Sequence, residues 1–359
     1  MRARVILLPL LLAVATTAQT FENLAAQADA ARQANHLDRA ASLYREALAM
    51  RPAWADGWWY LGTLLYDRDD YAGASQALEK AVQRSPKSGN ATAMLGLCEA
   101  RLGRHQDALE HLRKALALGV QDTRLRPVVL YTEGTLWLAA GEFAEAQTTL
   151  DQLIHEGSGQ EEAIVALGQA VLGVRPEDMA SADRATRDAV WQAGWAEHFA
   201  ARGDVHLALA QYRKLAADFP QLHNVHFACG RFLLANHFDN EAVAAFRREI
   251  QNDPRHLLAR LGIAGALAAS DPAAGLPYAE QAVKLAPGLG EAHYLLGVLL
   301  LDTGSTARAI AELETARWKQ PADTRVYFAL VRAYSQAHRP ADAARARAEF
   351  VRLNEENSK

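Results

Sequence analysis

The chain has 359 residues, of which 50% are hydrophobic and 22% are charged. Its formal net charge at pH 7 is −4, with 38 Lys and Arg against 42 Asp and Glu, and the basic residues form no run. This balance argues against a surface that follows nucleic-acid phosphates, so we expect no nucleic-acid partner. The two cysteines, Cys98 and Cys229, are too few for a disulfide-held scaffold, and we expect two buried thiols.

The first eighteen residues have the layout of a secretory signal peptide. Two arginines and an apolar run over residues 5–15 precede the small residues 16–18. Cleavage is expected after Ala18, with Ala15 as the second choice. The apolar run is too short to cross a bilayer, so no membrane span should remain after cleavage. The sequence therefore predicts an exported protein, either periplasmic or secreted.

From Phe21 onward, small and apolar positions return about every 34 residues. Residues 55–88 show the pattern best, with Trp58, Leu61, Gly62, Leu65, Ala74, Leu78, Ala81 and Pro86. This spacing resembles the tetratricopeptide repeat, in which W-x2-L-G-x2-Y and A-x3-F precede a closing proline. The resemblance implies an all-α fold, a right-handed α-solenoid of tandem helix-turn-helix repeats. The turn within each repeat should have Gly, Asp, Asn or His at its tip.

Closing prolines set the register, because a proline cannot continue a helix and falls at position 32. Position 8 should be small so that the paired helix can approach, and it holds Ala28, Gly62, Gly96, Gly134, Ala196, Gly230, Ala264 and Gly297. The register predicts four repeats over residues 21–160 and five over 189–357. In the last repeat, arginines replace apolar residues of the earlier second helices, at Arg345, Arg347 and Arg352. A polar outer face suits a terminal repeat, so we expect this one to act as a cap.

Residues 161–188 break the repeat pattern. One apolar helix ends at Gly173 and Pro176, and a charged segment follows over residues 177–188. We interpret this stretch as a degenerate repeat whose second helix is polar, since atypical repeats are normal in arrays. The alternative is a hinge between the two parts of the solenoid.

One histidine cluster has a spacing that could suit a metal: His223, His226, Cys229 and His237. These residues turn around the helix, and Cys229 falls at an inward position, so we expect surface histidines and no metal. The chain also lacks a phosphate loop, a G-x-S-x-G elbow and an H-E-x-x-H helix. The repeats run to residue 357 and leave no room for a catalytic domain. We therefore expect a protein that is not an enzyme and binds no cofactor.

Resemblance to the family places positions 2, 5, 9 and 12 of each first helix on a concave groove. Position 5 is aromatic in five repeats, at Trp59, Tyr131, Phe227, Tyr294 and Phe328. Position 9 adds Asp29, Thr63, Glu197, Arg231 and Arg332, and position 12 adds Arg32 and Tyr66. Such rings could bind an apolar peptide, or they could be half-buried core. The other tryptophans, at Trp54, Trp58, Trp137, Trp195 and Trp318, are expected to be core.

The best-known groove chemistry of this family is a carboxylate clamp, a set of Lys, Asn and Arg at positions 5 and 9 of three successive repeats. Here those positions hold Ala25 and Asp29, Trp59 and Thr63, and Ala93 and Leu97. Capture of a free C-terminus is therefore not expected. The sequence favours a non-enzymatic adaptor in the cell envelope that binds a peptide or protein segment in the groove. The alternative is a structural subunit of an envelope complex that uses the convex face or the solenoid ends, and the oligomeric state stays open.

Overall fold

The computed structural model describes residues 20–357, so the predicted signal peptide lies outside the described residues. The described residues form helices and contain no strand, which confirms the all-α prediction. The helices are α1 Phe21–Gln33, α2 Leu37–Met50, α3 Ala55–Tyr66, α4 Tyr71–Arg84, α5 Gly89–Arg101, α6 His105–Leu118, α7 Leu125–Ala140, α8 Phe143–His155, α9 Glu161–Leu172, α10 Pro176–Ser181, α11 Arg184–Ala201, α12 Val205–Asp218, α13 Val225–Ala235, α14 Asp239–Asn252, α15 Leu257–Leu267, α16 Pro272–Leu285, α17 Gly290–Asp302, α18 Thr306–Lys319, α19 Thr324–Gln336 and α20 Pro340–Asn357.

The chain divides into two compact units, an N-terminal unit that ends at Leu136 and a C-terminal unit that begins at Trp137. In each unit, consecutive helices pack as antiparallel pairs, such as α3 with α4 and α17 with α18. No helix in residues 20–357 has the length and apolar character needed to cross a membrane.

The turn inside the helix pair has the same backbone conformation in eight repeats. Position 15 has a positive φ at Asn35, Asp69, Gly103, Gly141, Gly203, His237, Gly304 and His338. This is the left-handed conformation that ends helices, which Gly adopts without strain and Asn, Asp and His adopt more readily than most residues. The sequence predicted this set of residue types at the tip of the turn.

The small residue at position 8 lies under the large side chain at position 24 of the same repeat. A Cβ atom added at Gly62 would come within 2.6 Å of Leu78 Cγ, and one at Gly230 within 2.6 Å of Phe246 Cε1. Both large side chains are buried. The requirement for a small residue at position 8, predicted from the sequence, therefore has a direct steric cause.

A second recurring contact joins position 4 of a repeat to the proline that closes the repeat before it. The side chain at position 4 donates a hydrogen bond to the carbonyl oxygen six residues earlier: Trp58 to Pro52, His226 to Pro220, Arg260 to Pro254, His293 to Pro287 and Tyr327 to Pro321. The distances lie between 2.7 and 3.1 Å. A carbonyl oxygen can only accept, so Nε2 carries the hydrogen in both histidines. Five residues of four different types thus fix the same junction between repeats.

Residues 161–188 contain helix α9, the short helix α10 and the start of α11. Helix α10 has no buried residue, and α11 packs against α9. Their backbones meet at two glycines: a Cβ atom at Gly168 would lie 1.9 Å from the carbonyl oxygen of Val190, and one at Gly194 would lie 2.0 Å from that of Ile164. The polar segment 177–188 therefore connects two closely packed helices, and its role as a hinge stays a prediction.

Arginines of the last helix pair with acidic residues on the same helix. On α20, Arg345 bonds to Asp342, and Arg352 lies 2.9 Å from Glu349 and 2.8 Å from Glu356. These side chains keep the outer face of α20 polar, as a terminal cap would require.

Candidate functional site

The rings at position 5 have different degrees of exposure. Trp59, Tyr131, Phe227 and Tyr294 are half-buried, whereas 55% of the Phe328 surface is exposed. Trp59 packs against the apolar core of the N-terminal unit, and Phe227 packs against that of the C-terminal unit. Four of the five rings therefore contribute to packing while keeping part of their surface open.

In the N-terminal unit, two other predicted groove residues make contacts within the unit. The Thr63 hydroxyl donates to the Tyr60 carbonyl at 3.0 Å. The Tyr66 ring meets Tyr71 edge to face, with centroids 5.3 Å apart, and burial raises the pKa of its hydroxyl. Both side chains are half-buried.

In the C-terminal unit, arginines lie over two of the rings. Arg231 Cζ is 5.9 Å from the Phe227 centroid, and Arg325 Cζ is 4.9 Å from the Tyr294 centroid. These distances are within the range of cation–π contacts. The predicted groove residue Arg332 instead forms an ion pair with Asp302, at 2.7 Å.

A cavity of about 690 Å³ with both polar and apolar lining residues lies in the C-terminal unit, between α8 and the ends of α11 and α13. Its polar lining includes Gln147 and Asp151 from α8, Glu197 from α11 and Arg231 from α13. Arg231 Nη2 donates to Gln147 Oε1 at 2.5 Å, and Glu197 accepts a short hydrogen bond from the fully buried Tyr212 hydroxyl. Asp151 Oδ1 and Arg231 Nε are buried and have no hydrogen-bond partner.

The surroundings of Asp151 make ionisation of its carboxyl group difficult. Burial, followed by the negative charge of Glu197, raises the pKa of Asp151 to about 8, and Arg231 opposes this rise. Burial also raises the pKa of Tyr212 far above its usual value, so the Tyr212 hydroxyl stays protonated and donates to Glu197. The carboxyl group of Asp151 is therefore mostly protonated near neutral pH.

The sequence analysis placed Glu197 in the groove but did not identify Asp151 or Gln147 as site residues. The sequence does contain a signal for this cavity, because Glu197 and Arg231 carry opposite charges at position 9 of successive repeats. A second signal is a tyrosine at position 24 paired with an acid at position 9: Tyr44 donates to Asp29 at 2.5 Å, and Tyr212 donates to Glu197. The resemblance to the family places position 9 in the groove. In these two repeats, however, the acid at position 9 accepts a hydrogen bond from a buried tyrosine.

Members of the histidine cluster have separate structural roles. The prediction that these histidines lie on the surface is wrong for His226, which is buried and donates to the Pro220 carbonyl oxygen. His223 lies near Glu249, with 61% of its side chain exposed. Burial raises the pKa of the Cys229 thiol to about 11, which keeps it protonated and unreactive. Both cysteines are free and buried, as predicted. Across residues 20–357, no three His, Cys, Asp or Glu side chains are grouped so that they could hold a metal ion.

The prediction that Trp318 belongs to the core is wrong. Its surface is 75% exposed, and the ammonium of Lys319 lies 4.5 Å from its ring. Trp318 falls near the end of α18, after Ala316, the last buried residue of that helix. A periodic pattern marks which face a residue occupies, but it does not show where contact with the neighbouring helix stops.

Comparisons with known proteins agree with the repeat pattern. One family model described as a tetratricopeptide repeat matches residues 25–89 and 61–122, and a second with the same description matches residues 266–327. No curated protein matches the chain.

Solved structures with similar folds have low sequence identity to this chain. A crystal structure of MamA is 18% identical, covers 45% of this chain and 96% of its own, and has a TM-score of 0.43. MamA from Desulfovibrio magneticus RS-1 is 21% identical over 48% of this chain and 96% of its own, with a TM-score of 0.42. The APC/C hetero-tetramer Cut9–Hcn1 is 12% identical over 94% of this chain and 87% of its own, with a TM-score of 0.39.

Proposed function

Because this chain is a tetratricopeptide repeat protein, we propose that it binds a peptide or protein segment along the first helices of its repeats. Repeats of this kind generally serve as scaffolds for protein interactions and are generally not enzymatic. The finer proposal concerns which surface is used. It assigns binding to the residues at positions 5, 9 and 12.

The observation that carries this proposal is the exposure of Phe328, at the repeat position where arginines lie over the rings of Phe227 and Tyr294. Phe328 is 55% exposed, and Tyr294, at the same position of the preceding repeat, lies under Arg325. Aromatic residues and arginine dominate binding hot spots, because they offer large contact areas with few rotatable bonds. An extended or helical segment with apolar side chains would suit this surface.

We also propose that the protein works outside the cytoplasm, in the periplasm or beyond the cell. The support is the arrangement of residues 1–18, with basic residues, a short apolar run and small residues in that order. Expression of the full gene in an export-competent bacterium should yield a mature chain that begins at Gln19, as measured by intact mass spectrometry of the periplasmic fraction. A full-length chain in the cytoplasmic fraction would contradict this proposal.

A structural role through the outer surface is the second candidate, and the exposure of Trp318 favours it. Trp318 lies on α18, the second helix of its repeat, and is 75% exposed. A tryptophan with this exposure is a common anchor in protein interfaces. In this role the protein would be a fixed subunit of an envelope complex, with the groove unused.

Two surface variants separate these functions. The mature chain, residues 19–359, would be used to capture a partner from an envelope extract, and the dissociation constant of the identified partner would then be measured with purified proteins. The groove variant combines Phe328→Ala with Arg332→Ala, and the matched control is Trp318→Ala. We expect the groove variant to bind at least about 10-fold more weakly, as loss of a hot-spot residue does, and the control to bind normally.

The opposite result, in which Trp318→Ala loses the partner and the groove variant keeps it, would refute groove binding and favour the structural role. Phe328 is exposed and Arg332 pairs only at the surface. Both variants should therefore stay folded, which far-ultraviolet circular dichroism would verify before binding is compared.

A further inference from the structure

When both of its acids are ionised, the cavity of the C-terminal unit carries a net negative charge. Asp151 and Glu197 contribute two carboxyl groups, and Arg231 contributes one positive charge. No ion pair joins Arg231 to either carboxyl group in the described chain; Arg231 bonds to Gln147 instead. The two acids therefore lack a direct cationic partner of their own.

Two helix ends add to this negative character. Ala200 and Ala201 close α11, and Leu234 and Ala235 close α13, and all four residues line the cavity. The last carbonyl groups of a helix have no partner within it, and together they act as about half a negative charge. The carbonyl groups of Ala200 and Leu234 already accept hydrogen bonds from the N–H groups of Gly203 and His237, so these helix ends would act on a cation through their dipoles.

We propose that this cavity receives the cationic head of a lysine or arginine side chain from the bound segment, an inference that rests on the proposed function. The ammonium or guanidinium group would lie between Asp151 and Glu197. Val205, Phe232 and Leu234 line the same cavity and would cover the apolar stem of the side chain. Arg231, which is held by its hydrogen bond to Gln147, would form one wall of the site.

Binding of a cation should also move a proton. The pKa of Asp151 is raised to about 8 by burial and by Glu197, so its carboxyl group is mostly protonated at neutral pH. An incoming cation favours the ionised form, which means that Asp151 releases its proton to solvent when the site fills. The other groups that face Asp151 are Arg231 from α13, Tyr212 from α12 and Gln147 from its own helix. Of these, Tyr212 stays protonated over the neutral range, because burial raises the pKa of its hydroxyl.

The test uses two small probes that differ in the charged group. Nα-acetyl-lysine-N-methylamide carries the ammonium, and Nα-acetyl-norleucine-N-methylamide has a similar stem without it. Isothermal titration calorimetry with the mature full chain at pH 7.5 should give a dissociation constant of about 1 mM for the lysine probe, which is reasonable for so small a ligand. The norleucine probe should bind about 10-fold more weakly or worse.

Two variants and a buffer change sharpen the test. Asp151→Asn should weaken the lysine probe by about 10-fold, whereas Glu162→Gln, an exposed acid in the first turn of α9, should leave binding unchanged. The binding enthalpy of the parent should differ between phosphate and Tris buffers, because the released proton is taken up by the buffer. For Asp151→Asn this difference should disappear.

Equal binding of the two probes, no measurable binding of the lysine probe, or an Asp151→Asn variant that binds like the parent would each overturn the cation site. These results leave the proposed function intact if the groove variant still loses its protein partner. Failure of that groove experiment, with normal binding of the lysine probe, would instead refute the groove and keep the cation site.

Discussion

Replacing Gly194 with alanine is expected to destabilise the C-terminal unit by about 3 kcal/mol, the upper part of the usual range for overpacking. The added Cβ atom would lie 2.0 Å from the Ile164 carbonyl oxygen and 2.9 Å from the carbonyl carbon. Backbone atoms cannot rotate away as the end of a flexible side chain can, so α9 and α11 would have to separate. Gly168→Ala should act similarly, because its Cβ atom would lie 1.9 Å from the Val190 carbonyl oxygen.

The matched control is Gly265→Ala on helix α15. A Cβ atom at Gly265 would have no heavy atom within 4 Å among those considered, and its φ is not positive. Alanine there should stabilise the helix by about 0.5–1 kcal/mol, because glycine loses more backbone entropy on folding. Thermal unfolding followed by circular dichroism should thus show a lower midpoint for Gly194→Ala, by about 10 °C, and a slightly higher midpoint for Gly265→Ala.

An unchanged midpoint for Gly194→Ala would mean that α9 and α11 do not cross at these glycines. The result also bears on the predicted hinge over residues 161–188. Helix α10 buries no residue, so the contact between α9 and α11 is what holds the two sides of this segment together. A hinge motion would therefore follow one of two routes. It would bend residues 173–183 and leave the Gly168–Gly194 contact intact, or it would break that contact.

The sequence was sufficient to predict features that recur with the repeat. Position 8 had to be small, and Gly62 and Gly230 are indeed covered by Leu78 and Phe246. A period of 34 residues samples the same local environment many times, so a steric requirement at one position becomes visible as a column of small residues. The same reasoning found the residue types at the turn and the inward direction of Cys229.

Features that depend on one particular place in the array could not be predicted in this way. The crossing of α9 and α11 arises where a repeat lacks a packed second helix, and Asp151 faces Glu197 because of that local arrangement. Trp318 occupies the end of a helix, where burial depends on the length of the neighbouring helix. Each of these features occurs once in the chain, so a repeating sequence pattern cannot reveal it.

Replacing Asp151 with asparagine is expected to stabilise the protein at alkaline pH and to remove part of its pH dependence. The pKa of Asp151 is about 8 in the folded chain and 3.8 when the carboxyl group is in water. The folded state therefore binds more protons than the unfolded state between these values, and stability falls as pH rises. The stabilising effect of the protonated group is complete below about pH 4 and is lost as pH rises through about 8.

Asparagine has nearly the shape of the protonated acid and carries no charge at any pH, so the Asp151→Asn variant should lose this slope. Urea unfolding at pH 5, 7 and 9 should give the variant a small advantage in free energy of unfolding at pH 5 and a growing advantage toward pH 9. Asp151 faces Glu197, Arg231 and Tyr212 in both proteins, so the difference between the proteins reports the change at residue 151. Asp188→Asn, which removes an exposed acid of α11, controls for the general effect of net charge. A constant difference across the three pH values, or a variant that is less stable at pH 9, would show that Asp151 is already ionised in the folded protein and that Arg231 outweighs both burial and the charge of Glu197.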